Sequence, residues 1–182
     1  MSSDAIFLYS TIVALLALVA LAGSVVLVAL RIARGPDAGS LLQGRAIWLA
    51  WIVATVATVG SLIYSEVIGF EPCRLCWFQR IAMYPMTVVL LVGAIRREFQ
   101  VKYYALPLAL IGLAISVYHV FVQRFPALEG TSCDPNNPCS NIFVEIFGFV
   151  TIPFMAGAGF ILIAVLLGIY VNKATIGITE TT

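Results

Sequence analysis

Five mainly apolar runs of about 20 residues constrain the fold of this chain more than any other feature. A hydrocarbon core about 30 Å thick requires about 20 helical residues at a rise of 1.5 Å each. The chain is 62% hydrophobic and only 10% charged, whereas soluble domains are about one quarter charged. The sequence therefore predicts an all-α, polytopic membrane protein. The runs are Ala5–Leu30, Ala46–Ile68, Trp77–Ile95, Tyr103–Val122 and Ile146–Val171, and the last run can begin with an interfacial segment before Pro153.

The positions of lysine and arginine predict the orientation of these helices, because cytoplasmic loops carry an excess of basic residues. Seven of the ten basic residues fall in three segments: Arg31, Arg34 and Arg45 between the first two runs, Arg96, Arg97 and Lys102 between the third and fourth, and Lys173 after the last. We therefore expect these segments to be cytoplasmic. The segments Gly69–Cys76 and Arg124–Glu145, and the N-terminus with Asp4, then lie outside. All four cysteines fall in the two external segments.

The first apolar run has two interpretations. Small residues at Leu21-Ala22-Gly23 resemble a signal-peptide cleavage site, but the run has no basic segment before it and is longer than a usual signal sequence. We favour a retained transmembrane helix. The predicted organisation is an extra N-terminal helix in residues 1–34, a four-helix core in residues 42–172, and a cytoplasmic tail in residues 173–182.

Composition excludes several classes of function. The net charge is +1, and the ten basic residues form no cluster, so the chain has no electrostatic surface for nucleic acid. Gly157 and Gly159 lie in an apolar run without the strand and turn of a nucleotide-binding motif. A redox cofactor, if the chain uses one, is then recognised in another way.

The cysteines form two closely spaced pairs. Cys73 and Cys76 make a C-x-x-C motif before the third run, and Cys133 and Cys139 flank five residues in the last external loop. Four cysteines allow three pairings, and structural cross-links are one interpretation, since external loops commonly carry them. A ring as small as that of Cys133 and Cys139 stabilises a fold by only about 2.4 kcal/mol. We favour redox-active pairs, because small exposed disulfides are typically the labile ones.

Cys76 is the expected thiolate. It lies near the N-terminus of a predicted helix, where the helix dipole and unpaired N–H groups stabilise negative charge. Arg80 follows one turn later on the same helical face. An arginine here can also extend to lipid headgroups, but beside a redox sulfur we expect it to be functional.

His119, the only histidine, lies near the outer end of the fourth run. It is either a helix-to-helix hydrogen-bonding residue or a contact for a quinone or a proton. A zinc ion bound by all four cysteines is a further alternative, because C-x-x-C is half of many zinc sites. We expect no metal, since an oxidising compartment favours disulfides.

The segment Glu71-Pro72-Cys73-Arg74-Leu75-Cys76-Trp77-Phe78-Gln79-Arg80 resembles the DsbB/BdbC family of quinone-linked disulfide-forming membrane proteins. Three other segments also resemble the family: Leu42-Gln43-Gly44-Arg45, Tyr118-His119, and Phe147-Gly148-Phe149-Val150-Thr151-Ile152-Pro153. The resemblance covers about residues 42–171. The short second loop resembles the BdbC-like branch, and the extra first helix is a departure. Vitamin K epoxide reductases place their loop cysteines before the C-x-x-C, the reverse of the order here.

The resemblance implies a function at the cell membrane. A thioredoxin-fold thiol oxidase outside the membrane, DsbA- or BdbD-like, would attack the Cys133–Cys139 disulfide at Cys133, and Cys139 would resolve the mixed disulfide. Electrons would pass to Cys73 and Cys76 and then to ubiquinone or menaquinone, with Arg80 and His119 as cofactor-binding residues. Two alternatives stay open: a scaffold or receptor with structural disulfides, and a relay that runs in the reducing direction.

Overall fold

The computed structural model describes residues 2–35, 42, 44–130 and 133–171. Gln43, Lys173 and the predicted tail 173–182 lie outside these residues. Five helices in the described part of the chain are long and apolar enough to cross a membrane. The predicted all-α membrane fold is therefore confirmed.

The helices follow the apolar runs, with two continued by π-helical turns. They are α1 (Ser3–Arg34), α2 (Ala46–Leu62, continued by Ile63–Val67), α3 (Arg74–Arg96), α4 (Lys102–Arg124) and α5 (Ile152–Val165, continued by Leu166–Tyr170). Short 3₁₀ turns, Phe99–Val101 and Pro126–Leu128, flank α4. The longest connection between helices runs from the end of α4 to the start of α5 and contains the second cysteine pair.

The fifth helix begins later than its apolar run predicts. Residues from Glu145 to Thr151 form a small antiparallel hairpin of β1 (Glu145–Ile146) and β2 (Val150–Thr151). Phe147 and Gly148 turn the chain with φ angles of 56° and 75°, a left-handed conformation suited to a tight hairpin turn. The sequence left open a separate interfacial segment before Pro153, and the structure has a hairpin there rather than a helix that starts at Ile146, because a mainly apolar segment can form a hairpin as readily as a helix.

Small residues make the contacts between helices, as is usual in membranes, where close backbone approach replaces the hydrophobic driving force. Buried small residues recur at helical spacing on three helices: Ala46, Ala50 and Ala54 on α2; Ala105, Ala109 and Ser116 on α4; and Ser10, Ala14, Ala17 and Ser24 on α1. Large apolar residues such as Leu8, Ile81 and Val88 are instead exposed. The molecule is therefore apolar on the outside, as a lipid-facing surface requires.

The helices form one bundle. α3 packs between α2 and α4, while α5 contacts α1, α2 and α4. Bulky residues from α3 and α5, including Met86, Leu90, Phe160 and Ile163, fill the centre and are almost completely buried. This bundle brings the starts of α3 and α5 and the end of α4 to the same side of the molecule.

A substitution at Gly112 tests the packing of α4 against α5. A methyl group added to Gly112 on α4 would overlap the ring of Phe160, which is fully buried on α5. Gly112→Ala should lower the free energy of unfolding by about 1–3 kcal/mol, the usual result of overpacking. Gly168→Ala is the control, because an added methyl group there contacts no atom within 4 Å. Thermal unfolding in detergent should show a lower midpoint for Gly112→Ala alone; equal midpoints would contradict the α4–α5 packing.

Candidate active site

Cys73 and Cys76 form an open dithiol at the start of α3. Cys73 is the N-cap residue of this helix and its Sγ accepts a hydrogen bond of 3.5 Å from the backbone N–H of Cys76. The two sulfurs are 3.1 Å apart and are not bonded. Cys73 is buried at 3% exposure, and Cys76 is half-buried. The C-x-x-C spacing thus lets the first cysteine cap the helix while the second lies in its first turn.

The hydrogen bonds of the dithiol favour negative charge on Cys73. The Cys76 thiol and then His119 lower the pKa of Cys73 to about 4, although burial opposes the shift. The sequence led us to expect the thiolate on Cys76, because that residue lies near the helix start and precedes Arg80 by one turn. The hydrogen bond of the Cys76 thiol is the main cause of the difference, because it stabilises negative charge on the Cys73 sulfur, and the N–H of Cys76 adds a smaller contribution.

Cys133 and Cys139 are joined by a disulfide across a tight turn. The Asp134 carboxylate accepts the N–H of Asn136 at 2.9 Å, and the Asp134 carbonyl accepts the N–H of Asn137 at 3.0 Å. The Glu129 carboxylate accepts hydrogen bonds from the Cys139 N–H and, at 2.7 Å, from the Ser140 hydroxyl. The loop is therefore held at both its turn and its base.

The two cysteine pairs meet in one cluster. Cys73 and Cys139 are buried together with Leu75 and Val122, and Cys76 and Cys133 pack against the same group. The Asn137 side chain donates to the Glu71 carbonyl at 3.5 Å, and the Gln123 side chain donates to the Asn141 carbonyl at 3.1 Å. These contacts join the second loop to the first loop and to the end of α4.

His119 lies at the centre of this cluster. Its Nε2 is 3.0 Å from the carbonyl oxygen of Cys139 and 3.7 Å from the Sγ of Cys73, and the side chain is 1% exposed. The sequence left His119 either as a helix-to-helix hydrogen-bonding residue or as a contact for a quinone or a proton; its neighbours in the structure are Cys73 and Cys139, and the quinone contact stays a prediction. Its depth in α4 could be read from the sequence, whereas its neighbours depend on how the second loop folds.

The zinc alternative requires a different state of the loop cysteines from the one in the structure. Ligand atoms of Cys73, Cys76 and His119 lie within 4.8 Å of one another. A zinc ion held by all four sulfurs would require four free thiolates, but Cys133 and Cys139 are bonded to each other. In the described residues, the second pair is therefore a disulfide and not half of a metal site.

A largely apolar cavity of about 750 Å³ lies on the other side of Cys76. Residues from α1, α2, α3 and α5 line it. On α3 the lining residues are Cys76, Gln79, Arg80 and Met83, a spacing that places them on one helical face. Cys73 and His119 are absent from the described lining of this cavity. The two sulfurs of the dithiol thus face different neighbours: Cys73 faces the loop disulfide, and Cys76 faces the cavity.

Arg80 is held inside the protein. Its Nε and Nη2 each donate a 3.0 Å hydrogen bond to Ser61 on α2, one to the hydroxyl and one to the carbonyl. Its guanidinium lies 5.2 Å from the centre of the Trp77 ring, and the residue is 8% exposed. The side chain therefore does not extend to the lipid headgroups.

Sequence reasoning missed two further polar residues of the cavity. Ser61 fixes Arg80, and Gln79 is 6% exposed with a side-chain nitrogen that has no hydrogen-bond partner among the described residues. Gln79 could have been found by its position three residues after Cys76. Ser61 could not, because its contact joins two helices.

A bundle of membrane helices that brings an open dithiol, a loop disulfide and an apolar cavity together defines a membrane thiol–disulfide oxidoreductase. The comparisons with known proteins agree with this class. The family model "Disulfide bond formation protein DsbB" matches residues 44–170. The chain therefore belongs to the DsbB family, and the expected resemblance is confirmed.

The names of several similar proteins agree with this family. The chain is 45% identical over 125 residues to "Probable disulfide formation protein C 1" of Bacillus cereus, covering 68% of this chain and 89% of the relative. It is 43% identical over 127 residues to "Disulfide bond formation protein C" of Bacillus subtilis, covering 68% and 92%. The comparison with solved structures gives no match. The family match begins after α1, so this helix lies outside it.

The charge on Cys73 can be measured by the ultraviolet absorbance of thiolates in the reduced protein. A thiol with an ordinary pKa of about 8.5 is protonated at pH 6. A pKa of about 4 instead keeps Cys73 charged until the pH falls through that value. We expect the thiolate signal to persist to about pH 5 and to be lost in Cys73→Ser. His119→Ala should raise the midpoint by removing a hydrogen bond. A signal that survives Cys73→Ser would place the charge on Cys76.

Proposed function

We propose that this protein reoxidises a thioredoxin-fold thiol oxidase, DsbA- or BdbD-like, on the extracytoplasmic side and passes the electrons through its two cysteine pairs to a membrane quinone. The single observation that carries the proposal is the position of the open dithiol between the loop disulfide and the apolar cavity. This position gives the electrons an entry on one side and an exit on the other.

The exposure of the loop cysteines supports entry at Cys133. Cys133 is partly exposed, whereas Cys139 is 1% exposed. A thiolate of the partner would attack the Cys133 sulfur, so that a mixed disulfide forms and Cys139 leaves as a thiolate. Disulfide exchange of this kind requires an accessible sulfur and a good leaving group.

Cys139 is well placed for the second exchange. Its thiolate would attack the sulfur of Cys73, break an inner Cys73–Cys76 disulfide and leave Cys76 as a thiolate at the cavity. The second cysteine of the partner would free Cys133; Cys139 would not, because its attack on Cys133 would return the partner in its reduced form. Cys133 would then attack Cys139 and restore the loop disulfide, with Cys73 as the leaving thiolate. His119 and Cys76 stabilise that leaving group.

The residues of the cavity fit a quinone. Ligand sites commonly have volumes of about 300–1,000 Å³ with mostly apolar walls and a few polar groups, and this cavity has these properties. Arg80 and the unpaired side-chain nitrogen of Gln79 supply hydrogen-bond donors near Cys76. A quinone bound there would accept two electrons and two protons, so that Cys73 and Cys76 close to a disulfide.

The orientation of the helices is part of the proposal. Arg31, Arg34, Arg96 and Lys102 lie at the ends of α1 and α3 and at the start of α4, opposite the ends that carry the cysteines. By the excess of basic residues in cytoplasmic loops, the cysteine loops face outward. A scaffold with structural disulfides does not account for an open dithiol beside a disulfide, and a relay in the reducing direction would require a reduced quinone in the cavity as its electron donor.

The orientation predicts which positions label from outside. In a variant without the four native cysteines, single cysteines replace the exposed residues Ser3, Gln100 and Ala127. An impermeant thiol reagent added to intact cells should label Ser3→Cys and Ala127→Cys only. Cell lysis should make Gln100→Cys reactive, which controls for expression and access. Labelling of Gln100→Cys alone in intact cells would show that the helices have the opposite orientation.

Entry at Cys133 predicts a difference between the loop cysteines. In a background lacking Cys73 and Cys76, Cys139→Ser leaves Cys133 free, and Cys133→Ser leaves Cys139 free. Each variant is mixed with a single-cysteine thioredoxin-fold partner whose thiol carries an aromatic thiol leaving group. The mixed disulfide should form at least about tenfold faster at Cys133, because accessible thiolates react faster. Equal rates, or a faster reaction at Cys139, would contradict the entry of electrons at Cys133.

A further inference from the structure

We infer that α1, the helix outside the family match, forms one wall of the quinone cavity and contacts the isoprenoid tail of the quinone. This inference rests on the proposed function. The helix supplies a series of lining residues over about four turns, which are Tyr9, Ile12, Val13, Leu16, Ala17, Val19, Ala20 and Gly23. A four-helix core alone would leave this side of the cavity to lipid.

Two neighbouring faces of α1 have different roles. One face buries Ser10, Ala14, Ala17 and Ser24, and α1 packs on α5. The adjacent face, with Leu16, Ala20 and Gly23 among its residues, lines the cavity. The remaining surface of α1 carries large exposed side chains such as Leu15 and Val25. The helix is therefore oriented by its packing, with a defined side toward the cavity.

Hydrogen bonds fix α1 to the core at two depths. The Tyr9 hydroxyl donates to the carbonyl of Gly60 on α2 at 3.1 Å, and the Tyr9 ring packs edge-on against Tyr64 with centroids 5.1 Å apart. At the other end, the hydroxyl of the fully buried Tyr170 donates to the Leu27 carbonyl at 2.7 Å. These contacts hold α1 in place as a wall rather than as a separate anchor.

The polar end of the cavity lies at the depth of Tyr9. Gly60 accepts from Tyr9, and the next residue, Ser61, accepts from both Arg80 and Tyr84. Gln79 is more than nine-tenths buried, lines the same cavity and has an unpartnered donor. An unpaired buried donor is costly, so this end suits a ligand with hydrogen-bond acceptors, such as the carbonyl oxygens of a quinone ring.

The apolar part of the cavity continues along α1. From Tyr9 to Gly23 the helix rises about 20 Å, and the far part is lined by the small residues Ala17, Ala20 and Gly23. A methyl group added to Gly23 meets no atom within 4 Å. A quinone ring bound at the polar end leaves this apolar part of the cavity for an isoprenoid tail. The α1 residues that line it would then limit the length of the tail that the cavity accepts.

Quinone-dependent thermal stabilisation in detergent tests the inference, since a ligand of the native state raises the unfolding midpoint according to its affinity. The two probes are a long-tailed quinone and a tail-less analogue with the same ring. Gly23→Phe should weaken binding of the long-tailed quinone by about tenfold or more and leave the tail-less analogue unchanged. Val25→Phe is the matched control, because Val25 is 69% exposed and is not a lining residue; it should change neither affinity. Ala20→Leu, a milder substitution on the cavity side, should show the same discrimination if Gly23→Phe fails to fold.

The outcomes separate this inference from the function on which it rests. Arg80→Met should weaken binding of both probes, because both carry the ring. If Gly23→Phe and Ala20→Leu bind the long-tailed quinone as the wild type does, α1 is not a wall of the site and the inference is overturned, while the proposed function stands. If neither probe stabilises the wild type, the quinone assignment and the inference both fail.

Discussion

The capping of α3 by Cys73 is the interaction on which the site depends. As the N-cap residue, Cys73 directs its sulfur back toward the first helical turn, where it meets the N–H and thiol of Cys76. His119 approaches the same sulfur from α4. One buried sulfur thus receives contacts from its own helix and from a neighbour, and this places the dithiol at the meeting point of α3, α4 and the second loop.

This arrangement gives the two sulfurs of the dithiol different surroundings. Cys73 is buried beside Cys139, whereas Cys76 opens on the cavity. The proposed relay, which would exchange disulfides with the loop and deliver electrons into the membrane, requires a dithiol with two such faces. The polar residues follow the same division: His119 lies with the cysteines, and Arg80 and Gln79 lie along the cavity.

Much of the fold could be predicted from the sequence, because bilayer thickness determines the length of an apolar run. The grouping of the four cysteines into two sequence-local pairs followed from their spacing, whereas their catalytic roles stay predictions. The hairpin before α5 could not be predicted, since its apolar residues have no helical or strand period that distinguishes them. The neighbours of His119 and Arg80 could not be predicted either, because Cys139 and Ser61 reach them from other segments. The division into an extra helix and a four-helix core stays a prediction.

The most direct test of the account is the consumption of quinone by the purified protein after a reduced thioredoxin-fold oxidase is added. The quinone absorbance should fall in step with oxidation of the partner in the wild type. Cys73→Ser and Cys133→Ser should each abolish this turnover, because each breaks the path between partner and cavity. Quinone consumption that persists without Cys73, or a wild type that oxidises no partner in the presence of quinone, would contradict the account.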